Sequence, residues 1–388
     1  DKRIINCDNW VSGISGSSDS LYRFIIPVNL QNTVYKLRGI NNFANDNTSN
    51  TYVNRISNNS DSLGFIGWGD NFYNQLNVPS DLKNVVQFST SYHTLALLFN
   101  GTVRGWGSDL DNADKPPIGL NNVVQVAAGY FMSLALKPDG TVVAWSNNDF
   151  GQLNIPRMLT NVVQLSLGQY YNVALKADGT VFVWGIYSTQ PPAGLNNVAQ
   201  VSVGTNHVLA LKYNDTVVQW GSNAFNQLLN FPAGLKNITQ IAAGDYHSLA
   251  INSDTVVTWG YNSNNQTTKP PGLGFVKQVA AGSLFSLAIT RNDTIIAWGR
   301  NTVGETNVPA GLTNVVDITS GSLASYSFAL YKLSVKTKVV NGTISNQTFV
   351  KRGDSVRITY QANNGYFLNY IVVNGTRIYD SLNAYTFR

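Results

Sequence analysis

A tryptophan recurs at Trp68, Trp106, Trp145, Trp184, Trp220, Trp259 and Trp298, at intervals of 36 to 39 residues, and in six of the seven copies glycine follows it. A second marker keeps step with it. This is an alanine between two apolar residues, centred on Ala96, Ala135, Ala174, Ala210, Ala250, Ala288 and Ala329. A fixed period of this length is the mark of a repeat architecture, in which each unit is too small to bury its own faces. One unit runs Asn122-Val-Val-Gln-Val-Ala-Ala-Gly, Leu134-Ala-Leu-Lys, Asp139-Gly-Thr, Val142-Val-Ala-Trp145. Short runs of β-branched and small apolar residues, punctuated by Gly and Asp/Asn-Gly, read as strands joined by hairpins. Asn100-Gly101, Asp139-Gly140 and Asp178-Gly179 are expected to form two-residue turns with both central residues at positive φ. Asn214-Asp215, Ser253-Asp254 and Asn292-Asp293 take the same place in later copies, Asn and Asp being next best after Gly. Segments of the type Pro-Ala-Gly-Leu (Pro192 to Leu195, Pro232 to Leu235, Pro309 to Leu312) separate the units, and no stretch keeps a helical period.

Repetition buries these sheets in a straight stack or in a closed ring of four-stranded blades, a propeller. The two ends of the array decide. The first Trp strand, around Gly67-Trp68-Gly69, has no Ala-marker strand before it, and the last Ala marker, Phe328-Ala329-Leu330, has no Trp strand after it. Together they make one blade. The sequence therefore predicts an all-β fold, a seven-bladed β-propeller over residues 63–331, closed by a strand from Leu63 to Gly69 that leaves no open sheet edge.

The pattern of Gly, a short loop, His-x-Leu-Ala-Leu-Lys, Asp-Gly-Thr and Val-x-Ala-Trp-Gly resembles the regulator of chromosome condensation repeat. The units are short, and in this they are similar to bacterial secreted members of the family, including the propeller-shaped inhibitor of β-lactamases. The resemblance implies a propeller over residues 63–331. It is weaker for function, because one fold hosts many.

Residues 1–62 form an N-terminal extension. Its apolar run from Leu21 to Ile40, with Leu21, Tyr22, Phe24, Ile25, Ile26 and Val28 in front, is a candidate donor strand, and an Asn/Ser-rich linker follows. Residues 332–388 change character. Leu333-Ser-Val, Asn341-Gly-Thr, Gly353-Asp-Ser-Val-Arg-Ile-Thr, Asn364-Gly-Tyr and Val373-Asn-Gly resemble the divergent internalin-type B-repeat, with Tyr370 where that family carries Trp. The resemblance implies a small β module one strand short at Phe387-Arg388. Truncation explains this, and so does a strand supplied by another molecule, which would suit head-to-tail strand donation.

Only 12% of residues are charged, while 48 are Asn and one, Glu305, is Glu. Amides and hydroxyls carry the solubility that ions carry in an average domain. Net charge is +5 and uneven: +1 over residues 1–62, −2 over 63–331 and +6 over 332–388. The propeller is too neutral for a nucleic-acid binder, and no run is long and apolar enough for a spanning helix. The lone Cys7 excludes a disulfide framework and a Cys-based zinc site. The chain opens at Asp1, as expected of a mature form or a fragment.

The search for chemistry finds little. His93, His207 and His247 share one repeat position, held elsewhere by Met132, Tyr171, Phe285 and Tyr326. Equivalent blade positions are spread around a ring and do not converge on one ion, so packing is the expected role. Asp139, Asp178, Asp215, Asp254 and Asp293 are turn residues without the contrasting environments that acid–base catalysis needs. No Walker loop, metalloprotease, EF-hand or nucleophile-elbow motif occurs. No enzyme activity, metal or cofactor is expected.

Just before the His position lie Tyr92, Phe131, Tyr170, Asn206, Tyr246, Leu284 and Ser325, which should ring one end of the propeller. They either fill the narrow end between blades or form a protein-binding mouth. In the β-lactamase inhibitor that the chain resembles, a comparable aromatic ring grips the partner. Sequons fall at Asn47, Asn58, Asn100, Asn214, Asn237, Asn265, Asn292, Asn341, Asn346 and Asn374, and Asn100, Asn214 and Asn292 share one hairpin turn. If the host glycosylates, sugars would decorate one rim.

The expected function is a non-enzymatic secreted or cell-surface structural protein, a self-assembling subunit of an extracellular fibre or surface layer joined by strand donation. The alternative is a soluble binding or inhibitor propeller, its partner a protein in either case. Nucleotide exchange on a GTPase is less expected, because the short units leave no room for insertions.

Overall fold

A computed structural model of the chain describes residues 63–332, apart from 147, 150, 187 and 188, together with the backbone of five short strands between 342 and 387. The donor-strand candidates Leu21 to Val28, and the sequons Asn47, Asn58, Asn341, Asn346 and Asn374, lie outside the described residues. The five short strands pair as Gly342–Ser345, Val356–Ala362 and Ala384–Phe387 in one sheet, and Ile371–Val373 with Thr376–Ile378 in another.

Seven antiparallel sheets follow one another in residues 63–332. The first blade is Val85–Thr90, His93–Leu98 and Val103–Gly107; the second is Gln125–Ala128, Met132–Leu136 and Val142–Ser146. The third is Val162–Leu167, Tyr171–Lys176 and Val181–Gly185; the fourth is Val198–Val203, His207–Lys212 and Val217–Gly221. The fifth is Ile238–Ala243, His247–Asn252 and Thr255–Gly260; the sixth is Val276–Ala281, Phe285–Thr290 and Ile295–Gly299. The seventh joins Val315–Thr319 and Tyr326–Tyr331 to the strand Gly64–Gly69, in the order 64–69, 326–331, 315–319. Trp68 pairs with Ser327 and Gly64 with Tyr331, so the earliest tryptophan strand closes the last blade, as the sequence predicts.

The blades have three strands rather than the four expected. After each Trp-Gly the chain passes through left-handed residues (Asn74, Asn226, Asn265) and proline, and its amides are taken by side chains, as where Asn71 Oδ1 accepts from Leu76 N at 2.7 Å. No ladder forms there. The hairpins also differ from expectation. Gly101, Gly140 and Gly179 have φ near +80°, whereas Asn100, Asp139 and Asp178 stay at negative φ. Gly101 N donates to Leu98 O and Leu98 N to Thr102 O, both at 2.9 Å, which is a three-residue loop ending in a left-handed residue. The Asn or Asp folds back on itself: Asn100 Oδ1 accepts from Thr102 N at 3.1 Å and from its hydroxyl at 2.7 Å. Only Ser253-Asp254 is a two-residue turn with both φ positive, and there the hairpin is one residue shorter.

The first strand of each blade is innermost, and it carries a feature the sequence did not announce. Gln87 donates from Nε2 to Val126 O at 3.0 Å and accepts from Val126 N at 3.1 Å in the next blade. Gln125 does the same to Leu165, Gln164 to Val201, Gln200 to Ile241 and Gln240 to Val279. Each side chain is a buried amide imitating a backbone ladder step between blades. Gln240→Leu would remove both hydrogen bonds to the buried backbone of Val279, and should cost about 2–4 kcal/mol, read as a lower urea midpoint.

In the seventh blade this position is Asp317, which cannot donate when ionised. The joint from the seventh blade to the first is aromatic instead. Phe88 stacks on Phe328 at 4.5 Å, with Phe65 and Trp106 edge-on to Phe88 at 5.6 and 6.1 Å. Tyr326 donates its hydroxyl hydrogen to His93 O at 2.9 Å across the same joint. Between the sixth and seventh blades Gln278 Nε2 donates to Ile318 O at 3.1 Å and to Asp317 Oδ1 at 2.8 Å, so the ring is closed at all seven joints.

The tryptophans share this work. Trp106 Nε1 donates to Gln75 O at 2.8 Å, Trp298 to Gln266 O at 2.8 Å, and Trp68 to Glu305 O at 3.0 Å, each reaching the loop of the preceding blade. The glycine ahead of the His position has a local cause. A Cβ on Gly204 would lie 2.3 Å from the His207 ring, so only glycine lets the imidazole fold over the strand end.

Candidate protein-docking face

Strand register decides which loops share an end of the ring. The last residue of each outer strand faces the first of the middle strand, as Gly107 faces His93, Gly221 faces His207 and Gly69 faces Tyr326. The loops that follow Trp-Gly therefore sit at the same end as the turns that carry Tyr92, Phe131, Tyr170, Asn206, Tyr246 and Leu284. All six of these side chains are half-buried.

The structure does not gather them into one even ring. Tyr92, Phe131 and Tyr170 are linked through Tyr130, which lies 4.8, 3.8 and 5.9 Å from them, centroid to centroid. Tyr73 extends the series, 5.7 Å from Tyr92, and Phe72 ends it, 4.9 Å from Tyr73. The result is a continuous aromatic ladder across the seventh, first, second and third blades. Tyr246 belongs to a second cluster, 4.4 Å from Phe225 and 6.0 Å from Tyr261. Asn206 and Leu284 lie at the same end, with no aromatic side chain of their own. Burial, then Tyr130, pushes the Tyr92 hydroxyl up to about 12, and burial raises Tyr246 as well.

Sequence reasoning missed Phe72, Tyr73, Tyr130, Phe225 and Tyr261. A usable signal was present: antiparallel neighbours put the post-Trp loop beside the pre-His turn. Five of the twelve exposed large apolar side chains of the described residues lie there, one in each of five equivalent loops, while Ile118 and Met158 lie between blades and Phe99 and Phe275 at the hairpin end. Phe72 is 80% exposed, Leu110 49% and Phe225 47%, with Ile186 and Val303 in the equivalent loops. Exposed apolar side chains repeated on one rim differ from the scattered ones normal on a surface.

The turns themselves are tied together. Backbone N–H groups of Thr205, Asp245 and Ser283 donate in turn to the carbonyls of Asp245, Ser283 and Ala324 at 3.3, 3.2 and 2.9 Å. Asp245 is buried among them and accepts from Thr205 Oγ1 at 2.9 Å and Ser283 Oγ at 2.5 Å. Burial pushes its carboxyl up to about 7, against the pull of those hydroxyls and of Arg300. Glu305 is fully buried, accepting from Arg300 Nε at 2.6 Å and Val303 N at 2.8 Å, while Arg300 also donates to Ser325 Oγ at 2.6 Å.

The three histidines are packing residues. His93 Nε2 lies 2.7 Å from Ser133 Oγ of the next blade, and that hydroxyl donates to Ala113 O, so the imidazole donates to it. His247 Nε2 meets Ser286 Oγ in the same way at 3.0 Å, that hydroxyl donating to Gln266 O, and His207 Nε2 lies 3.0 Å from Ser248 Oγ. Nδ1 of each is buried without a hydrogen-bond partner. Burial lowers His93 and His247 to about 3 and His207 to about 4, which keeps all three neutral. No cluster of metal-ligating side chains occurs among the described residues. The sequon residues Asn100, Asn214, Asn237, Asn265 and Asn292 are all exposed, and Asn100, Asn214 and Asn292 lie on hairpins at the opposite end.

Four segments, residues 123–152, 198–227, 238–266 and 276–305, match the regulator of chromosome condensation (RCC1) repeat. Prp20p of Saccharomyces cerevisiae is similar in structure, at 22% identity and TM-score 0.58 over 70% of this chain and 92% of that one; its structure was determined with its binding properties to Gsp1p and histones. The same yeast protein bound to Kap60 gives TM-score 0.59 at 20% identity, over 78% and 96% of the chains. Human WBSCR16 gives 0.55 at 19% identity, over 69% and 99%. No curated protein matches in sequence. The fold is an RCC1-like β-propeller.

Proposed function

We propose that this propeller is a non-catalytic docking protein, and that its partner is a protein held on the aromatic end of the ring. The observation that carries the reading is the ladder from Phe72 through Tyr73, Tyr92 and Tyr130 to Tyr170, framed by exposed Leu110 and Val303. Rigid aromatics set on a closed scaffold give large contact area at small entropic cost, which is what an interface hot spot requires. Replacing Tyr92, Tyr130 and Tyr170 by Ala should weaken partner capture at least tenfold and leave the unfolding midpoint within a few degrees, since all three lie outside the blade cores. Undiminished capture by that variant would refute the reading.

A second reading, a self-assembling subunit of an extracellular or cell-surface fibre, draws on a different feature. Gly64 pairs with Tyr331 at the end away from the aromatics. Residues 63 and 332 thus stand side by side at that end, and strand donation to a neighbour by the segments beyond them would start from one place. Exposed sequons on the adjoining hairpins suit a secreted setting.

A further inference from the structure

The two ends of the propeller differ in charge. Asp70, Asp109, Asp111, Asp114 and Asp149 all lie in the loops of the aromatic end, over the buried Asp245. Of the twelve Lys and Arg within residues 63–331, only Lys115 and Arg300 lie there, Arg300 being engaged by buried Glu305. Lys115 bridges Asp109 at 2.6 Å and leaves Asp111 in excess. At the other end cations outnumber acids: Lys83, Lys137, Lys176, Lys212, Lys236 and Arg291 flank hairpins that carry Asp139, Asp178, Asp215, Asp254 and Asp293, with Lys176 bridging Asp178 and Lys277 bridging Asp293.

That other end is also where the basic part of the chain departs. Lys332 N donates to Asn314 O at 3.0 Å, one residue beyond the Gly64 and Tyr331 pair. From there residues 332–388 carry eight Lys and Arg against two Asp. A blade strand of six residues is about 20 Å long, so this segment starts a full blade height from its own aromatic end and beside whatever molecule abuts the cationic end.

We propose that the acidic, aromatic end of one propeller receives the basic segment 332–388 of a second copy, so that molecules join head to tail. The proposal rests on the docking reading above and supplies its occupant. Opposed charges give register and speed the encounter, and the tyrosine ladder offers ring faces to incoming Lys and Arg. The contact uses different patches on the two partners, so it propagates into a filament rather than stopping at a dimer.

The test uses full-length chains in sedimentation velocity. Wild type should form concentration-dependent oligomers that dissociate between 50 mM and 1 M salt. A face variant, Asp109→Lys with Asp111→Lys and Asp149→Lys, should be monomeric. So should a tail variant, Lys336→Glu with Lys338→Glu, Lys351→Glu and Arg352→Glu. Mixed one to one, the two monomers should give a dimer that grows no further, because only one intact face and one intact tail remain. Both sets of reversals in one chain should restore assembly, which separates lost docking from misfolding. A wild type monomeric at every concentration, cross-links from segment 332–388 to its own propeller only, or a polymer indifferent to salt and to the face variant would each overturn the proposal. A monomer that still loses protein capture on the Tyr92, Tyr130 and Tyr170 replacements would overturn self-docking and leave the docking reading standing. A salt-indifferent polymer would favour strand donation instead.

Discussion

Between pH 7 and pH 4 the propeller should lose several kcal/mol of stability, with the loss traceable to three imidazoles. His93, His207 and His247 are buried and held at about 3, 4 and 3 in the folded ring. In the unfolded chain they take up a proton near pH 6.5. Below that value the unfolded state binds more protons than the folded one, so stability falls as pH falls. At pH 4 each buried imidazole accounts for a loss of about 3 kcal/mol. Asp245 works the other way. Its folded carboxyl titrates at about 7, above its unfolded value, so the stability it withholds at neutral pH is recovered as pH falls, by up to about 4 kcal/mol. The net loss is on the order of 5 kcal/mol, comparable with the whole stability of many domains.

Urea midpoints measured from pH 7 to pH 4 show this directly. Phe285 already fills the His position in the sixth blade and Met132 in the second. Replacing all three histidines with Phe should therefore keep the fold and remove most of the acid slope. Asp245→Asn should steepen the slope by removing the opposing group. An unchanged slope in the triple variant would sink the assignment.

The second large effect belongs to the joint between the seventh and first blades. Phe328→Ala should destabilise the propeller by about 3–5 kcal/mol and make it prone to aggregate. Phe328 stacks on Phe88, meets Trp106 and Tyr326 edge-on at 6.1 Å, and lies where a Cβ on Gly67 would be, 2.7 Å away. The last contact ties it to the closing strand. Its loss should loosen Gly64–Gly69, leaving that strand held by its backbone ladder to Tyr326–Tyr331. Hydrogen exchange should then show faster opening of residues 326–331 than of the equivalent 285–290. Truncating Val279 to Ala, deep in another joint, should cost no more than about 2 kcal/mol. Equal costs and equal exchange would show that this joint is no different from the rest.

The ring and its closure were legible because a period of about 39 residues with two markers fixes the number of units, and the unmatched halves at the ends fix how they meet. The strand number was not. The fourth strand was assumed from the architecture, and nothing in the Asn71 to Pro79 segment signals that side chains rather than a ladder take its amides. The hairpins differ from expectation because Asn-Gly and Asp-Gly serve both a two-residue turn and a type I turn followed by a left-handed residue; the Thr after Gly101, which lets Asn100 fold back, selects the second. The docking end was half legible. Tyr92, Phe131 and Tyr170 followed from repeat position, but Phe72 and Phe225 sit in loops whose composition varies between units. Gln87 and its equivalents carry no signal of their role, since a polar residue in an alternating strand reads as solvent-facing, whereas these amides point into the joints.

Those amides have a consequence for lineage. Five consecutive joints use the same two hydrogen bonds from one side-chain amide to one backbone residue, and nothing in that connection depends on which unit stands on either side. A tandem duplication or deletion of a unit among the second to sixth could be spliced in with its fastening already made, and the circle would have only to widen or tighten. Phe88 and Phe328 have no such interchangeable counterpart. Ancestry by gene duplication should therefore leave its newest copies in the middle of the array and its oldest, most individual sequence at the point where the circle meets itself.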